Sequence, residues 1–241
     1  MKQDTLGDFK EYSLAGTDQE IQFITSALQL PIKNSTILDL YCGYGRHTLE
    51  LAKLGYEVIG LDSNRDFLAI AKQKAEELEI AVRFVECDMR ELSYQETFDA
   101  VINMFAAFGF FSDEENAAVI TSIARALKPK GLFLIDLFNR DWMLKNNLNR
   151  YWRHPSGEAV LSYKVEIEEG IAVMKRQLLN QVTGKKTEAD FQLRTYTLAE
   201  MTDMLTEAGL KIKQVFGAFD GRPYDKDTPR LIILAQKESH D

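Results

Sequence analysis

The chain has 241 residues, 45% hydrophobic and 27% charged, enough apolar material for a sizeable core and too much for a disordered chain. Its 29 basic and 37 acidic residues give a formal net charge of −8, and with no basic run beyond Lys185-Lys186 and Lys211-Ile212-Lys213 a nucleic-acid partner is disfavoured. Two cysteines with no CxxC or Cys/His cluster, an opening MKQDTLGDFKEY without an apolar signal core, and no bilayer-length apolar window point to a reduced cytoplasmic protein without metal, disulfide framework or membrane partner.

Thr17-Asp18-Gln19-Glu20 has the form of a capping box, so a helix is expected to open there, with Ile21, Ile24, Leu28 and Leu30 on its apolar face and Pro31 as its end. Thr36 to Leu40 reads as a short buried strand, followed by a helix from about Gly45 to Leu54 that Gly55 closes. Tyr56 to Leu61 is a second strand, Arg65 to Leu78 a helix, Ala81 to Val85 a third strand and Phe98 to Ile102 a fourth. Ser112-Asp113-Glu114-Glu115 is another capping box, opening a helix through Leu127. Lys128 to Gly131 is expected to turn, and Leu132 to Asp136 to form a fifth strand. This alternation, with continuous apolar strands, argues for an α/β fold with a parallel sheet covered on both faces.

From about Tyr151 to Tyr196 the pattern changes to alternating apolar and polar residues, with a hairpin turn at Glu168-Glu169-Gly170, as in an antiparallel insertion. Thr197-Leu198-Ala199-Glu200 opens one more helix, which Gly209 stops, and strands follow near Lys211 to Phe216 and Arg230 to Ala235. The expected organisation is a ligand-binding core over 1–140, the insertion over 141–196, and a closing helix and two strands over 197–241.

The turn after the first strand reads Asp39-Leu40-Tyr41-Cys42-Gly43-Tyr44-Gly45-Arg46. Glycines there let the backbone bend tightly and approach a ligand, and the helix behind directs its amides outward. Asp62 ends the second strand, where a carboxylate can take two ribose hydroxyls. It can equally help start the next helix, with Ser63 or Asn64 as the cap. Thr48 stands where a dinucleotide fingerprint would have its third glycine, and Asp39 adds an acid that such a fingerprint does not need. An ammonium-bearing ligand accounts for Asp39, as does a buried carboxylate that accepts loop amides. Asp88, just past the third strand, can accept from an exocyclic amine.

Together, Asp39-x-x-x-Gly43-x-Gly45, Asp62, and Asp88-Met89 resemble class I S-adenosylmethionine-dependent methyltransferases. The Cys42-Gly43-Tyr44-Gly45-Arg46-His47 run, Phe105 to Phe111, Arg194-Thr195-Tyr196, Phe219-Asp220-Gly221 and Thr228-Pro229-Arg230-Leu231 resemble a bacterial small-molecule group within that family. The resemblance implies a doubly wound, mostly parallel seven-stranded sheet whose antiparallel insertion acts as a lid. It also implies S-adenosylmethionine as methyl donor and S-adenosylhomocysteine as product.

Residue by residue, the resemblance implies that Asp39 and the backbone of Cys42, Gly43 and Gly45 face the methionine part. Asp62 would hold the ribose, with Ser63 near the adenine and Asp88 and Met89 reading its edge. Asn103, Met104 and Phe105 would sit where methyl group meets acceptor, and Tyr12 would fold over the donor. The family often has glycine where this chain has Tyr41, so that side chain must point away from the donor or the pocket must differ. Phe105, Phe108, Phe110 and Phe111 are expected to wall the acceptor, with at least half of them alternatively plain core, and Arg194, Tyr196, Tyr224 and Arg230 to shape its site or, alternatively, to form a salt-bridged edge with Asp220 and Asp227. Asn103, His154 and Tyr196 are the candidates for a catalytic role, since a sulfonium donor asks mainly for orientation and water exclusion.

The expected activity is methyl transfer to the nitrogen or oxygen of a small-molecule acceptor, by a monomer or homodimer. The alternatives are a nucleotide-dependent oxidoreductase on a similar sheet and a donor-binding module without chemistry, with a tRNA-modifying methyltransferase further off.

Overall fold

The computed structural model describes residues 16–146, 150–153, 159–180 and 182–239. In chain order the elements are α1 (Thr17–Leu28), β1 (Thr36–Leu40), α2 (Arg46–Lys53), β2 (Glu57–Asp62), α3 (Arg65–Glu77), β3 (Arg83–Glu86) and β4 (Phe98–Asn103). There follow α4 (Asp113–Ala126), β5 (Leu127–Phe138), α5 (Arg140–Asn146), β6 (Arg150–Arg153), β7 (Ala159–Glu168), β8 (Ile171–Asn180) and β9 (Lys186–Arg194). The chain closes with α6 (Leu198–Glu207), β10 (Leu210–Phe216) and β11 (Arg230–Lys237). Among these described residues no helix is long and apolar enough to cross a membrane.

Seven strands form the main sheet in the order β10-β11-β5-β4-β1-β2-β3. The strands from β5 to β3 run parallel, whereas β11 is antiparallel to both β5 and β10. Burial on both faces explains the continuous apolar runs. Leu38, Leu40, Val101, Phe133 and Ile135 face the cluster under α4 and α6. Their neighbours Ile37, Ala100, Ile102 and Leu134 face Ile21, Ile24 and Leu28 of α1 on the other side. The first strand–helix turn and the end of β4 therefore meet at the middle of the sheet, where the strand order reverses, the usual place for a ligand crevice in such sheets.

Local signals explain most boundaries. Asn64 caps α3, its side chain accepting from the amides of Asp66 and Phe67, and reciprocal capping boxes open α4 at Ser112/Glu115 and α6 at Thr197/Glu200. The capping box expected at Thr17 and Glu20 is absent. Gly16 occupies the cap position without a side-chain hydrogen bond, and Glu20 is buried instead. The helix also stops at Leu28, short of Pro31. β5 starts at Leu127, so the expected turn over Lys128 to Gly131 is an irregularity inside the strand, with a register shift opposite Phe98–Ala100 and Lys130 at φ 63. Helix α5 stands where an antiparallel segment was expected. Asn139 opens it by accepting from the amides of Asp141 and Trp142.

The insertion is an antiparallel sheet in the order β6-β7-β8-β9, with Glu169 and Gly170 making the β7–β8 turn. One end is fixed to the core. Arg194 N donates to Gly109 O at 2.8 Å, and Thr195 N to Gly170 O at 2.7 Å. A Cβ on Gly109 would lie 2.2 Å from Arg194 O, so only glycine permits this approach. Met143, Ala172, Met174 and Leu193 form a small apolar cluster beneath, joined by Phe110 and Phe138 from the core.

Candidate functional site

The loop between β1 and α2 is built on left-handed backbone at Tyr41, Gly43 and Gly45 (φ 67, 58 and 76). Tyr41 N and Cys42 N both donate to Leu61 O, at 2.7 and 3.0 Å. Gly43 N donates to Asp62 Oδ2 at 2.8 Å, and Asn64 N to Asp62 Oδ1 at 2.8 Å. Asp62 thus shapes the loop while Asn64 supplies the cap for α3. A Cβ on Gly45 would meet the Phe84 ring at 2.9 Å, whereas one on Gly43 would meet nothing within 4 Å. Gly45 is glycine for packing, and Gly43 looks onto open space.

Asp39 is buried at the end of β1 and accepts from Thr48 Oγ1 at 2.6 Å. Thr48 therefore stands in place of a third glycine as the partner of this acid. Burial raises the Asp39 pKa against the pull of His47, Thr48 and Arg46. Burial also raises that of Asp62, opposed by the Asn64 and Gly43 amides and helped by the Asp39 charge. Burial thus penalises the charge on both acids, and Asp62 is one hydrogen bond from Gly43 and its open face.

Past β3, Asp88 caps a short 3-10 turn and accepts from Arg90 N, Nε and Nη2 at 2.9, 3.1 and 2.8 Å. The Arg90 side chain holds its carboxyl below the ordinary range. Met89 is buried in the core and Ser63 is exposed.

At the end of β4, Asn103 is buried and bridges two segments, Nδ2 donating to Leu40 O at 3.0 Å and Ala107 O at 3.2 Å. Its Oδ1 has no hydrogen-bond partner among the described residues. Met104 packs into the cluster under α1. Phe105 and Ala106 take left-handed backbone (φ 67 and 54), costly conformations for such residues. Asp136 holds them there, its Oδ2 accepting from Phe105 N at 2.8 Å and its main-chain O from Ala106 N at 3.0 Å. Phe105 is 47% exposed, with the Arg46 guanidinium 4.8 Å from its ring centroid. The Tyr41 ring stacks on Phe110 at 5.3 Å and 26°.

Several side chains expected at the acceptor are occupied elsewhere. Phe108 is fully buried in the core beside Tyr196 rather than walling a cavity. The Tyr196 hydroxyl donates to Asp113 at 2.7 Å and accepts from Asn116 at 2.9 Å. Arg194 pairs with Asp113 and Glu200, and Arg230 with Asp136. The expected partners are taken, Asp220 by Arg222 and Asp227 by Lys145. Tyr224 is half-buried against the core. Tyr12 and His154 lie outside the described residues.

Sequence reasoning missed the cluster of Glu20, Arg46 and His47. Glu20 Oε2 lies 2.6 Å from Arg46 Nη1 and 2.5 Å from His47 Nε2, all three side chains being buried. Burial alone would raise the Glu20 carboxyl, but His47 and Arg46 together bring it below its usual value. The signal was present: Glu20 lies four residues before Ile24 and eight before Leu28, on the apolar stripe.

Residues 37–131 match the family model described as a methyltransferase domain. The chain is 29% identical to the cypemycin N-terminal methyltransferase of a Streptomyces species, over 86% of this chain and 85% of the relative. It is 26% identical to the dTDP-3-amino-3,4,6-trideoxy-alpha-D-glucopyranose N,N-dimethyltransferase of Streptomyces venezuelae, over 78% and 80% of the two chains. Among solved structures, an S-adenosylmethionine-dependent methyltransferase from Clostridium acetobutylicum superposes with a TM-score of 0.80 at 18% identity, covering 92% of each chain. The matched domain and the relatives mark residues 37–131 as a methyltransferase domain, on a sheet folded as in an S-adenosylmethionine-dependent methyltransferase.

Proposed function

We propose that the protein methylates an amine nitrogen on a small molecule. The observation that carries this reading is Asn103 Oδ1, a buried carbonyl oxygen at the end of β4 with no partner among the described residues. Such an atom accepts an N–H and orients a nitrogen lone pair away from itself. An amine that binds unprotonated needs no general base. The acids around it are already engaged, Asp39 by Thr48, Asp62 by Gly43 and Asn64, and Asp136 by Arg230. The two relatives support the same choice, since by name one methylates an N-terminus and the other an amino sugar twice.

The residues present fit the donor. Open space over Gly43 admits it without displacing a side chain, and the buried acids match its charge. When bound, S-adenosylmethionine supplies a methyl group already activated on a sulfonium. Asp39 faces its ammonium, the backbone of Cys42, Gly43 and Gly45 lines its amino-acid end, and Asp62 takes the ribose hydroxyls. Ser63, Asp88 and Met89 border the adenine, Asp88 sharing lone pairs that Arg90 leaves free. Asn103, Met104 and Phe105 border the methyl group, and Tyr41, turned onto Phe110, helps enclose it. The insertion over 141–196 shelters the acceptor from water, which strengthens every polar contact beneath it.

We place the reaction in the cytoplasm, where Cys42 and Cys87 stay reduced, and assign it to a monomer or homodimer. Calorimetry on the purified chain should show binding of S-adenosylmethionine and S-adenosylhomocysteine. Asp62→Ala should weaken both by roughly tenfold or more, the scale of a lost hydrogen bond to a charged group. Mass spectrometry over a panel of small amines and alcohols should then find the methyl group on amines. Binding of NAD in place of the sulfonium, or methylated alcohols alone, would overturn the reading.

A further inference from the structure

Arg46 opens α2, an eight-residue helix whose cap position, Gly45, offers no side-chain hydrogen bond. Its side chain is buried, and Nη1 is fully used, donating to Thr17 Oγ1 at 3.1 Å and facing Glu20 Oε2 at 2.6 Å. Nη2 is also shut away from solvent, and it has no hydrogen-bond partner among the described residues. A buried cationic N–H left unpaired is costly. The guanidinium is a rigid fork built to hold an anion on each prong. One prong has Glu20. The guanidinium carbon lies 4.8 Å from the centroid of the Phe105 ring, which follows β4 at the C-terminal edge of the sheet, and the Arg46 charge is felt by Asp39. Asp39 accepts from Thr48 through Oδ2.

We propose that Arg46 Nη2 receives the carboxylate of the donor's amino-acid end, and that Glu20 is the positioning residue that aims it. The inference rests on the donor-binding reading above, in which Asp39 meets the ammonium and the neighbouring carboxylate still lacks a counter-charge. The zwitterionic end then finds an acid and a base in matching order. The uncapped first turn of α2 adds its amide dipoles on the anionic side. Glu20, itself held by His47, and Thr17 keep the guanidinium from swinging out to solvent.

Two ligands isolate this contact. S-adenosylhomocysteine has the amino-acid end, and 5′-methylthioadenosine keeps the nucleoside and lacks it. In calorimetry on the purified chain, Arg46→Lys keeps a cation for Glu20 and loses the second prong. It should weaken S-adenosylhomocysteine roughly ten- to hundredfold while leaving methylthioadenosine within about twofold. Retained methylthioadenosine binding is itself proof that the variant has folded. Should Arg46→Lys fail to fold, the uncharged pair Glu20→Gln with Arg46→Met should show the same selective loss, and Glu20→Gln alone a smaller one. Equal losses for both ligands, or none, would overturn the inference while leaving donor binding intact. A change confined to the acceptor's KM would overturn it too, by giving the prong to an anion on the acceptor. If the unmodified chain bound neither nucleoside, the donor-binding reading would fall first.

Discussion

Arg230 grips Asp136 with both prongs of its guanidinium, Nε donating to Oδ1 at 2.8 Å and Nη2 closing on Oδ2. Asp136 has no exposed surface, and Oδ2 also accepts from Phe105 N. The pair thus ties β11 to the left-handed turn that follows β4.

The first prediction concerns that pair. Arg230→Met strands a buried carboxylate and should cost about 3 kcal/mol or more, read as a lowered urea midpoint. Asp136→Asn keeps an acceptor for Phe105 N and should cost less. A variant lacking both charges should be more stable than Arg230→Met alone. If Arg230→Met melts like the unmodified chain, the pair does not hold the turn.

Gly43 and Gly45 should part company on mutation. Gly43→Ala has room and should cost only about 1 kcal/mol, the strain of left-handed backbone. It nevertheless fills the space over the loop, so thermal stabilisation by S-adenosylhomocysteine should shrink. Gly45→Ala drives a methyl group into Phe84 and Ala71 and should destabilise the chain with or without ligand. Identical behaviour of the two variants would contradict the distinction.

Tyr196 tests whether a buried hydroxyl serves the fold or the reaction. Burial, with Asp113 as its acceptor, holds the phenol well above its ordinary pKa, so it is a poor proton shuttle. Tyr196→Phe should lose about 1–3 kcal/mol of stability, the cost of leaving Asp113 and Asn116 short of a partner, with kcat and its pH profile unchanged. A loss of kcat at full stability would return Tyr196 to the site.

Glu200 sets an acid limb on stability. Burial draws its carboxyl up, but bonds from Thr197 and Arg194 and the Arg140 charge bring it from 4.5 down to about 2. A depressed carboxylate stabilises the fold above its unfolded pKa, and that contribution disappears as pH falls through the folded value. Urea midpoints should therefore drop between pH 4.5 and about 2. Glu200→Gln should flatten the drop, and an unchanged slope would assign the acid sensitivity to other carboxylates.

The sheet was legible because its strands are short apolar runs separated by amphipathic helices, and each run encodes its own burial. The loop was legible because Gly43, Gly45, Asp39 and Asp62 lie close together in sequence. What escaped was every choice settled by distant residues. Thr17 and Glu20 match a capping box as written, yet Glu20 turns inward because Arg46 and His47, 26 and 27 positions away, offer it a buried pairing. Arg230 and Arg194 announce cationic side chains without naming partners, and Asp136 and Asp113 claim them across the fold. The aromatic run from Phe105 to Phe111 divides by backbone geometry, with Phe105 thrust outward by its left-handed φ and Phe108 turned into the core.

The contact between Gly109 and Arg194 gives the insertion the mechanics of a cantilever. Its root is welded to the core by main-chain bonds and by a glycine that tolerates no side chain. The hairpin end around Gly184, where an added Cβ would meet nothing, hangs free of that anchor. A side chain has room at the tip and none at the root, so sequence drift should concentrate in the outer part of the sheet. Across descendants of this chain the outer hairpin can lengthen or change its side chains to suit new acceptors, while Gly109 and its partner strand hold still and the catalytic core is left undisturbed.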